Sequence, residues 1–285
     1  MPPKLDIFRD KLLLKSPTTR VLAERGMLGV ARLNRTLGAR QEGRNIVVFH
    51  AGRSGSQVLA GLLAQHPDIF WDNELFWAAR QRAYRRIYGE ALDPLDIVRL
   101  APYKTRKPWY GWEVKPHHFR QMRMHRSESI RALKAMGYDR FVILQRRSLL
   151  RQFLSARLIT SQEDRTRTHV RIDATPERRR IALDADDFLG WARTLENDFQ
   201  GLRADLKGER ILELNYEDHI EEDPREAYSL VCDFLGVPHH EAEVTLRRSN
   251  PFPLRELISN YDEFARVISG TAYAPMLQQD GHGTD

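Results

Sequence analysis

The chain has 285 residues, 41% hydrophobic and 29% charged, which suits one large α/β domain with a sizeable core and excludes a disordered polypeptide. Its net charge of +6 and pI near 9.5 favour anionic partners, a description that nucleic acid, a membrane surface and a phosphate-bearing small molecule all meet. No apolar run approaches the roughly 18 residues of a membrane span, LLL at 12–14 is too short for a signal-peptide core, and the lone cysteine, Cys232, excludes an internal disulfide and implies a reducing compartment. The expectation is a soluble, cytoplasmic, bacterial-type protein.

Residues 1–44 carry ten Lys or Arg against four acids and read as a basic helical N-terminal extension. Ser16 and Pro17 can start a helix that runs to about Arg35. Such an extension suits a peripheral contact with an anionic inner-membrane surface, or simple packing on the domain that follows. From Asn45 to the end, strands and helices alternate. NIVVFH (45–50) is a continuous β-branched and aromatic run, as in a buried parallel strand, and SQVLAGLLAQH is a helix stopped by Pro67. PDIFWDNELF returns to a short extended piece and a turn, with a helix predicted from about Leu75 to Ile87. WYGWEVK and RFVILQR are the next strands. SESIRALKAMG is a helix that Gly137 ends, and LLRQFLSARLI follows the third strand as another. DADDFLGWARTLENDFQGLRADL is a long amphipathic helix, RILELNY a fourth strand, and DPREAYSLVCDFLG a last helix with Pro224 in its first turn. Repeated strand–helix units imply a three-layer α/β domain, its mainly parallel sheet flanked by helices.

In an open parallel sheet, ligands bind beyond the carboxyl ends of the strands. HAGRSGSQ occupies such a place. Its glycines allow a tight turn, and the helix after it directs unpaired N–H groups and partial positive charge at an anion. Ser54 and Ser56 add hydroxyls and Arg53 a guanidinium fork. A nucleoside-triphosphate loop reads GxxxxGK[ST]; here the spacing is shorter and the lysine is missing, which disfavours a triphosphate with magnesium. RFVILQRRSLLRQFLSARL repeats the device, with Arg146 and Arg147 at a strand end and Ser155 two turns along the next helix. Farther on stand the Tyr-Glu-Asp of NYEDH, the Asp-Pro of EEDPRE and the Phe-Leu-Gly of CDFLGVP.

Over roughly residues 45–238 these blocks resemble the sulfotransferases that use 3′-phosphoadenosine 5′-phosphosulfate (PAPS), whose fold is similar to that of P-loop NTPases. The resemblance implies that Arg53, Ser54, Gly55, Ser56 and Gln57 grip the 5′-phosphosulfate and that Arg147 and Ser155 grip the 3′-phosphate. Gln57 stands where threonine is usual. PAPS would then be the co-substrate and PAP the product, with no metal expected. Arg247 or Arg248, in the segment RSNPFPLRELISNYDEF, is a further candidate for the 3′-phosphate.

Sulfuryl transfer to a hydroxyl calls for a general base, because the hydroxyl's own pKa lies far above neutrality. Glu74, among Trp71, Phe76 and Trp77, is one candidate, similar to the glutamate of carbohydrate sulfotransferases. His117 in WEVKPHHF is the other, similar to the Lys-Thr-His of the alcohol and phenol enzymes. Arg53 would stabilise charge on the leaving phosphate, with Lys115 a helper near the sulfonate. The acceptor implied is a carbohydrate or glycolipid hydroxyl, with Tyr84, Tyr88, Tyr103, Trp109 and Tyr110 as aromatic faces for a sugar. Two other readings fit parts of the sequence: a P-loop kinase or NTPase, and a non-enzymatic polyanion binder using the basic extension and ERRR at 177–180. No specific nucleic-acid motif is present, and the oligomeric state is not encoded in any motif.

Overall fold

The computed structural model describes residues 17–38, 44–76, 93–160, 170–171, 175, 178–248 and 250–278. It is an α/β fold, in which a five-stranded parallel sheet is flanked by helices. In chain order the elements are α1 (Pro17–Thr36), β1 (Asn45–His50), α2 (Ser56–Gln65), β2 (Ile69–Glu74), α3 (Pro94–Leu100), β3 (Trp109–Val114), α4 (Pro116–Gln121), α5 (Arg126–Ala135), β4 (Tyr138–Gln145) and α6 (Leu149–Thr160). After these come β5 (Val170–Arg171), α7 (Ala185–Asp205), β6 (Ile211–Asn215), α8 (Tyr216–His219), α9 (Pro224–Leu235), β7 (Leu246–Arg247), α10 (Leu254–Leu257) and α11 (Tyr261–Ile268). The main sheet runs β2-β3-β1-β4-β6, and β5 and β7 form a small antiparallel pair. The helix predicted from Leu75 lies outside the described residues beyond Phe76; Leu75 and Phe76 themselves form a turn.

Local chemistry accounts for many of the boundaries. Asp223 caps α9 by accepting from Arg225 N at 3.0 Å, Pro224 fills the first helical position, and Gly236 stops the helix at φ +67°. Helix α2 ends at His66, whose extended conformation is what a following proline demands. All six residues of β1 and all six of β3 are buried, as strands covered on both faces must be. Cys232 is buried in α9.

By its contacts the chain divides into two compact units. One comprises Met1–Phe49, Pro67–Val142 and Asp205–Ile211, the other His50–His66, Ile143–Ala204 and Leu212–Asp285. Helix α1 therefore belongs with the first unit. Its Leu28 and Ala31 are buried, Asn34 Nδ2 donates to Tyr103 O at 2.9 Å, and the Arg35 guanidinium lies over the Tyr103 ring. Leu22, Val30, Leu33 and Leu37 remain exposed. No helix among the described residues is long and apolar enough to cross a membrane.

The pairing of β2 with β3 contains the feature that matters most for the chemistry. Ile69, Phe70 and Trp71 stand opposite Trp109, Tyr110 and Gly111; then Glu74 stands opposite Glu113. Three steps along β2 match two along β3, and the extra residue is absorbed in a bulge where Asn73 adopts φ +52°. Gly111 makes room for this arrangement, since a Cβ there would stand 2.5 Å from Trp71 Cζ3 and 2.9 Å from Ile46 Cγ2. Gly111→Ala is therefore expected to lower stability by about 1–3 kcal/mol through overpacking, read as a lower urea midpoint with an unchanged m-value.

Candidate active site

In the second unit, the segment from His50 to Ser56 turns sharply between β1 and α2. Gly52, Arg53 and Gly55 all have positive φ, at +79°, +57° and +82°, and Gly55 is the N-cap of a helix that no side chain caps. Glycine is required at 55: a Cβ there would meet Ile220 Cγ2 at 2.7 Å and Tyr216 Cδ2 at 3.0 Å. Successive left-handed residues followed by a helix N-terminus make a backbone nest that suits an anion.

The loop is held through its carbonyls. Gln152 Nε2 of α6 donates to Gly52 O at 2.6 Å, and Arg146 Nη1 donates to Arg53 O at 3.4 Å. In a trans peptide the following N–H points opposite to the carbonyl, so the amides of Arg53 and Ser54 are directed away from those donors. Gly52 N is fixed to His50 Nδ1 at 3.0 Å, which gives His50 its structural role.

Two partly buried guanidiniums stand beside this loop. Arg53 Nε donates to Ser155 Oγ at 2.9 Å, and burial, followed by the charge of Arg146, pushes its pKa down to about 10. Arg146 lies over the Tyr216 ring, 4.3 Å from its centroid, with Nε 3.7 Å from Glu217 Oε1, and burial lowers its pKa too. Arg248 pairs with Glu221 at 2.7 Å and adds to the field at Arg146, while its Nε and Nη2 are buried with no hydrogen-bond partner among the described residues. Arg146 lies in the field of Glu217, Glu221 and Arg248, and Arg53 in the field of Arg146, so guanidiniums are gathered beside the loop. Such a set of donors fits a phosphate or sulfonate group.

The residues expected from sequence fall into different roles. Arg53, Gly55 and Ser155 come together at the loop. Ser54 is fully enclosed, with Oγ meeting no partner among the described residues, and Ser56 is buried in the first turn of α2 while Gln57 is half-buried. Arg147 is exposed: both of its η nitrogens donate to the Asp218 carboxylate, Nη2 to Oδ1 at 2.6 Å, and Ser155 accepts instead from Arg53 and, at 3.3 Å, from Asn250 Nδ2. The inward member of the Arg146–Arg147 pair is Arg146. Glu217 organises this corner, accepting from Arg147 N and Ser148 N at 3.0 Å each. Gln152 and Glu217 carry no sequence mark of their roles, although Glu217 lies within the quoted Tyr-Glu-Asp motif.

In the first unit a second cluster forms at the carboxyl ends of β2 and β3. Lys115 Nζ donates to Glu74 Oε1, and His118 Nε2 stands 3.9 Å from Glu74 Oε2. His118 is thus the histidine at the carboxylate; His117 is half-buried, its ring edge-on to that of His118 at 4.7 Å. Pro116 starts α4, and Lys115 N donates to His118 Nδ1 at 3.5 Å, which turns the other nitrogen toward Glu74. Trp77, expected beside Glu74, lies outside the described residues, and Glu113 is the more enclosed of the two carboxyls here. Glu74 is 22% exposed on its side chain, whereas Glu113 is 1% exposed, and burial, then the Glu74 charge, pushes the Glu113 pKa up to about 7.

Of the aromatic residues expected to face an acceptor, Trp109 and Tyr110 are interior. Tyr110 is fully buried and donates to Asp72 Oδ2 at 2.7 Å, where Lys104 also binds at 2.7 Å, and Trp109 is buried beneath the Arg140 guanidinium. Tyr103 packs against α1, and Tyr84, Tyr88 and Trp77 lie outside the described residues.

A family model described as "Sulfotransferase family" matches residues 45–241. Among solved structures, the chain is similar to a sulfotransferase from Alicyclobacillus acidocaldarius, at 13% identity and TM-score 0.49, over 84% of this chain and 95% of that one. No curated protein gives a significant match.

Two outcomes are expected from this geometry. Glu217→Ala strips two amides and Arg146 of their shared acceptor and should cost about 1.5–3 kcal/mol in urea unfolding, of which Glu217→Gln recovers part. For Glu113, whose folded pKa is raised, the stability it contributes is full below the ordinary carboxylate range and lost as pH rises through about 7. Wild-type stability should therefore fall relative to Glu113→Gln between roughly pH 5 and 8, measured by urea midpoints across that range.

Proposed function

The chain belongs to the sulfotransferase family, and from that premise we propose that it moves a sulfuryl group from PAPS to a hydroxyl of a carbohydrate or glycolipid acceptor, leaving PAP. The observation that carries this reading is the loop of residues 52–55: left-handed backbone opening a helix that no side chain caps, beside the guanidiniums of Arg53 and Arg146. A kinase-type triphosphate site would need the lysine this loop lacks.

When bound, the donor supplies the sulfuryl group and keeps the electron pair of the broken S–O bond on its phosphate. Arg53 and the loop amides that follow it hold that phosphate end and stabilise its growing negative charge. Gly55 keeps the backbone close, and Ser54, Ser56 and Gln57 complete the first binding segment. Ser155 fixes the Arg53 fork, and Arg248 offers unused donors to the second phosphate. Arg147, exposed on Asp218, can exchange that carboxylate for the 3′-phosphate with little desolvation. Glu74 takes the acceptor's proton on a carboxylate oxygen, and Lys115 orients that carboxylate. A glutamate in this role, rather than a histidine, supports a sugar hydroxyl over a phenol as the acceptor.

Isothermal titration with PAP in the absence of magnesium tests the donor site. Micromolar-range binding is expected, weakened roughly tenfold or more by Arg53→Ala. Glu74→Gln should leave PAP affinity unchanged while lowering kcat by about 10²–10⁴ on sugar acceptors. Binding of ATP with magnesium but not of PAP would overturn the assignment.

A further inference from the structure

Helix α1 is apolar on two opposite sides, and only one of them meets the fold. Leu28 and Ala31 are buried in the first unit, and Asn34 on the same side donates to Tyr103 O. Leu22, Val30 and Leu33 lie on the other side, at 50%, 56% and 60% exposure. Leu37, whose N–H prolongs the helical bonding to Leu33 O at 3.0 Å, extends the row at 68%. At the helical repeat, positions 22, 26, 29, 30, 33 and 37 fall within an arc of about 100°. Gly26 and Gly29 fill the remaining places of that arc, and a Cβ on either would meet nothing within 4 Å. Among the described residues, the other large hydrophobic side chain so exposed is Val267, on α11.

The charge of the chain is concentrated at the same end. The chain holds 45 Lys or Arg against 39 acids and residues 1–44 hold ten against four, which leaves 35 of each sign in residues 45–285. The basic excess therefore belongs to the segment that contains α1. Within α1 the sequence has Arg20, Arg25, Arg32 and Arg35 against Glu24, and Arg25 and Arg32, two turns apart, are exposed along one edge of the apolar row. A second copy of this helix would cover the row but set like charges across the seam. An anionic lipid surface takes the apolar side chains and the arginines together.

We propose that α1 docks the protein on an anionic lipid surface. The helix lies in the headgroup plane, with Leu22, Val30, Leu33 and Leu37 at the acyl boundary and Arg25 and Arg32 among the lipid phosphates, while Leu28 and Ala31 tie it to the first unit. It rests on the surface rather than spanning it, since it is neither long nor apolar enough to cross. The inference is independent of the sulfuryl-transfer reading, because none of these residues belongs to either cluster of the candidate site.

Co-sedimentation of the full chain with vesicles of phosphatidylcholine, alone or with about 30% phosphatidylglycerol, is the test. Wild-type protein should partition onto the anionic vesicles roughly tenfold or more above the neutral ones. Val30→Gln with Leu33→Gln should lower that partitioning roughly tenfold, and Arg25→Gln with Arg32→Gln by about the same factor. Both variants should keep the wild-type urea midpoint, since every altered side chain is exposed. Failure of the wild type to bind anionic vesicles would overturn the proposal. So would binding that ignores the apolar variant, which leaves only a diffuse attraction of a basic chain. A lowered urea midpoint in the apolar variant would show that the chain itself covers the row. A two-chain mass in sedimentation, halved by the same variant, would make the occupant a second copy; either result sinks the lipid assignment.

Discussion

Burying like charges together is the constraint on which the second unit is built. Arg146 weakens the hold of Arg53 on its proton, Arg248 does the same to Arg146, and both have lost much of their hydration. The fold tolerates this through a few fixed contacts: the face of Tyr216 under Arg146, the carboxylate of Glu217 beside it, and Ser155 on Arg53. Each contact also shapes the loop. Arg146 holds a loop carbonyl, Glu217 fixes the start of α6, and α6 supplies Gln152 for the other carbonyl. The charge that makes the site costly is thus carried by the same groups that give the loop its conformation, and an arriving dianion relieves the cost.

The alternation of elements was legible because it is written in local chemistry. β1, β3 and β4 are apolar runs of strand length, and Asp223-Pro224 with Gly236 marks both ends of α9. The glycine loop was legible for the same reason: left-handed backbone at 52 and 55 demands the residue type found there. What local chemistry could not decide was which of Arg146 and Arg147 turns inward. Adjacent residues at a strand end point to opposite sides, and the choice falls to a distant aromatic ring, Tyr216, and to the carboxylates on either side of it, Glu217 and Asp218. The choice between His117 and His118 was hidden in the same way, since it depends on where α4 begins relative to Glu74.

The bulge was harder still to read. WDNELF contains no glycine or proline to announce an extra residue, and only Asn73, a type that accepts positive φ more readily than most, stands at the irregular point. One inserted residue reverses the parity of everything after it. It separates Asp72, bound by Tyr110 and Lys104, from Glu74, bound by Lys115, although the two acids are only two residues apart. A continuous strand would have put both on one face. The bulge also brings Glu74 opposite Glu113, the more enclosed of the two carboxyls.

The two clusters obey one electrostatic rule with opposite sign. Beside the loop, Arg53 stands by Arg146 and Arg248 adds to the field at Arg146, a setting that favours negative charge. At the end of β2, burial and the charge of Glu74 raise the pKa of Glu113, a setting that favours a proton. A structural ion-pair network minimises its own imbalance, and surface pairs such as Arg147–Asp218 do so. Among the described residues, these two groupings differ from such pairs in setting like charges beside one another under burial, a cost that perturbs their protonation and marks candidate functional groups.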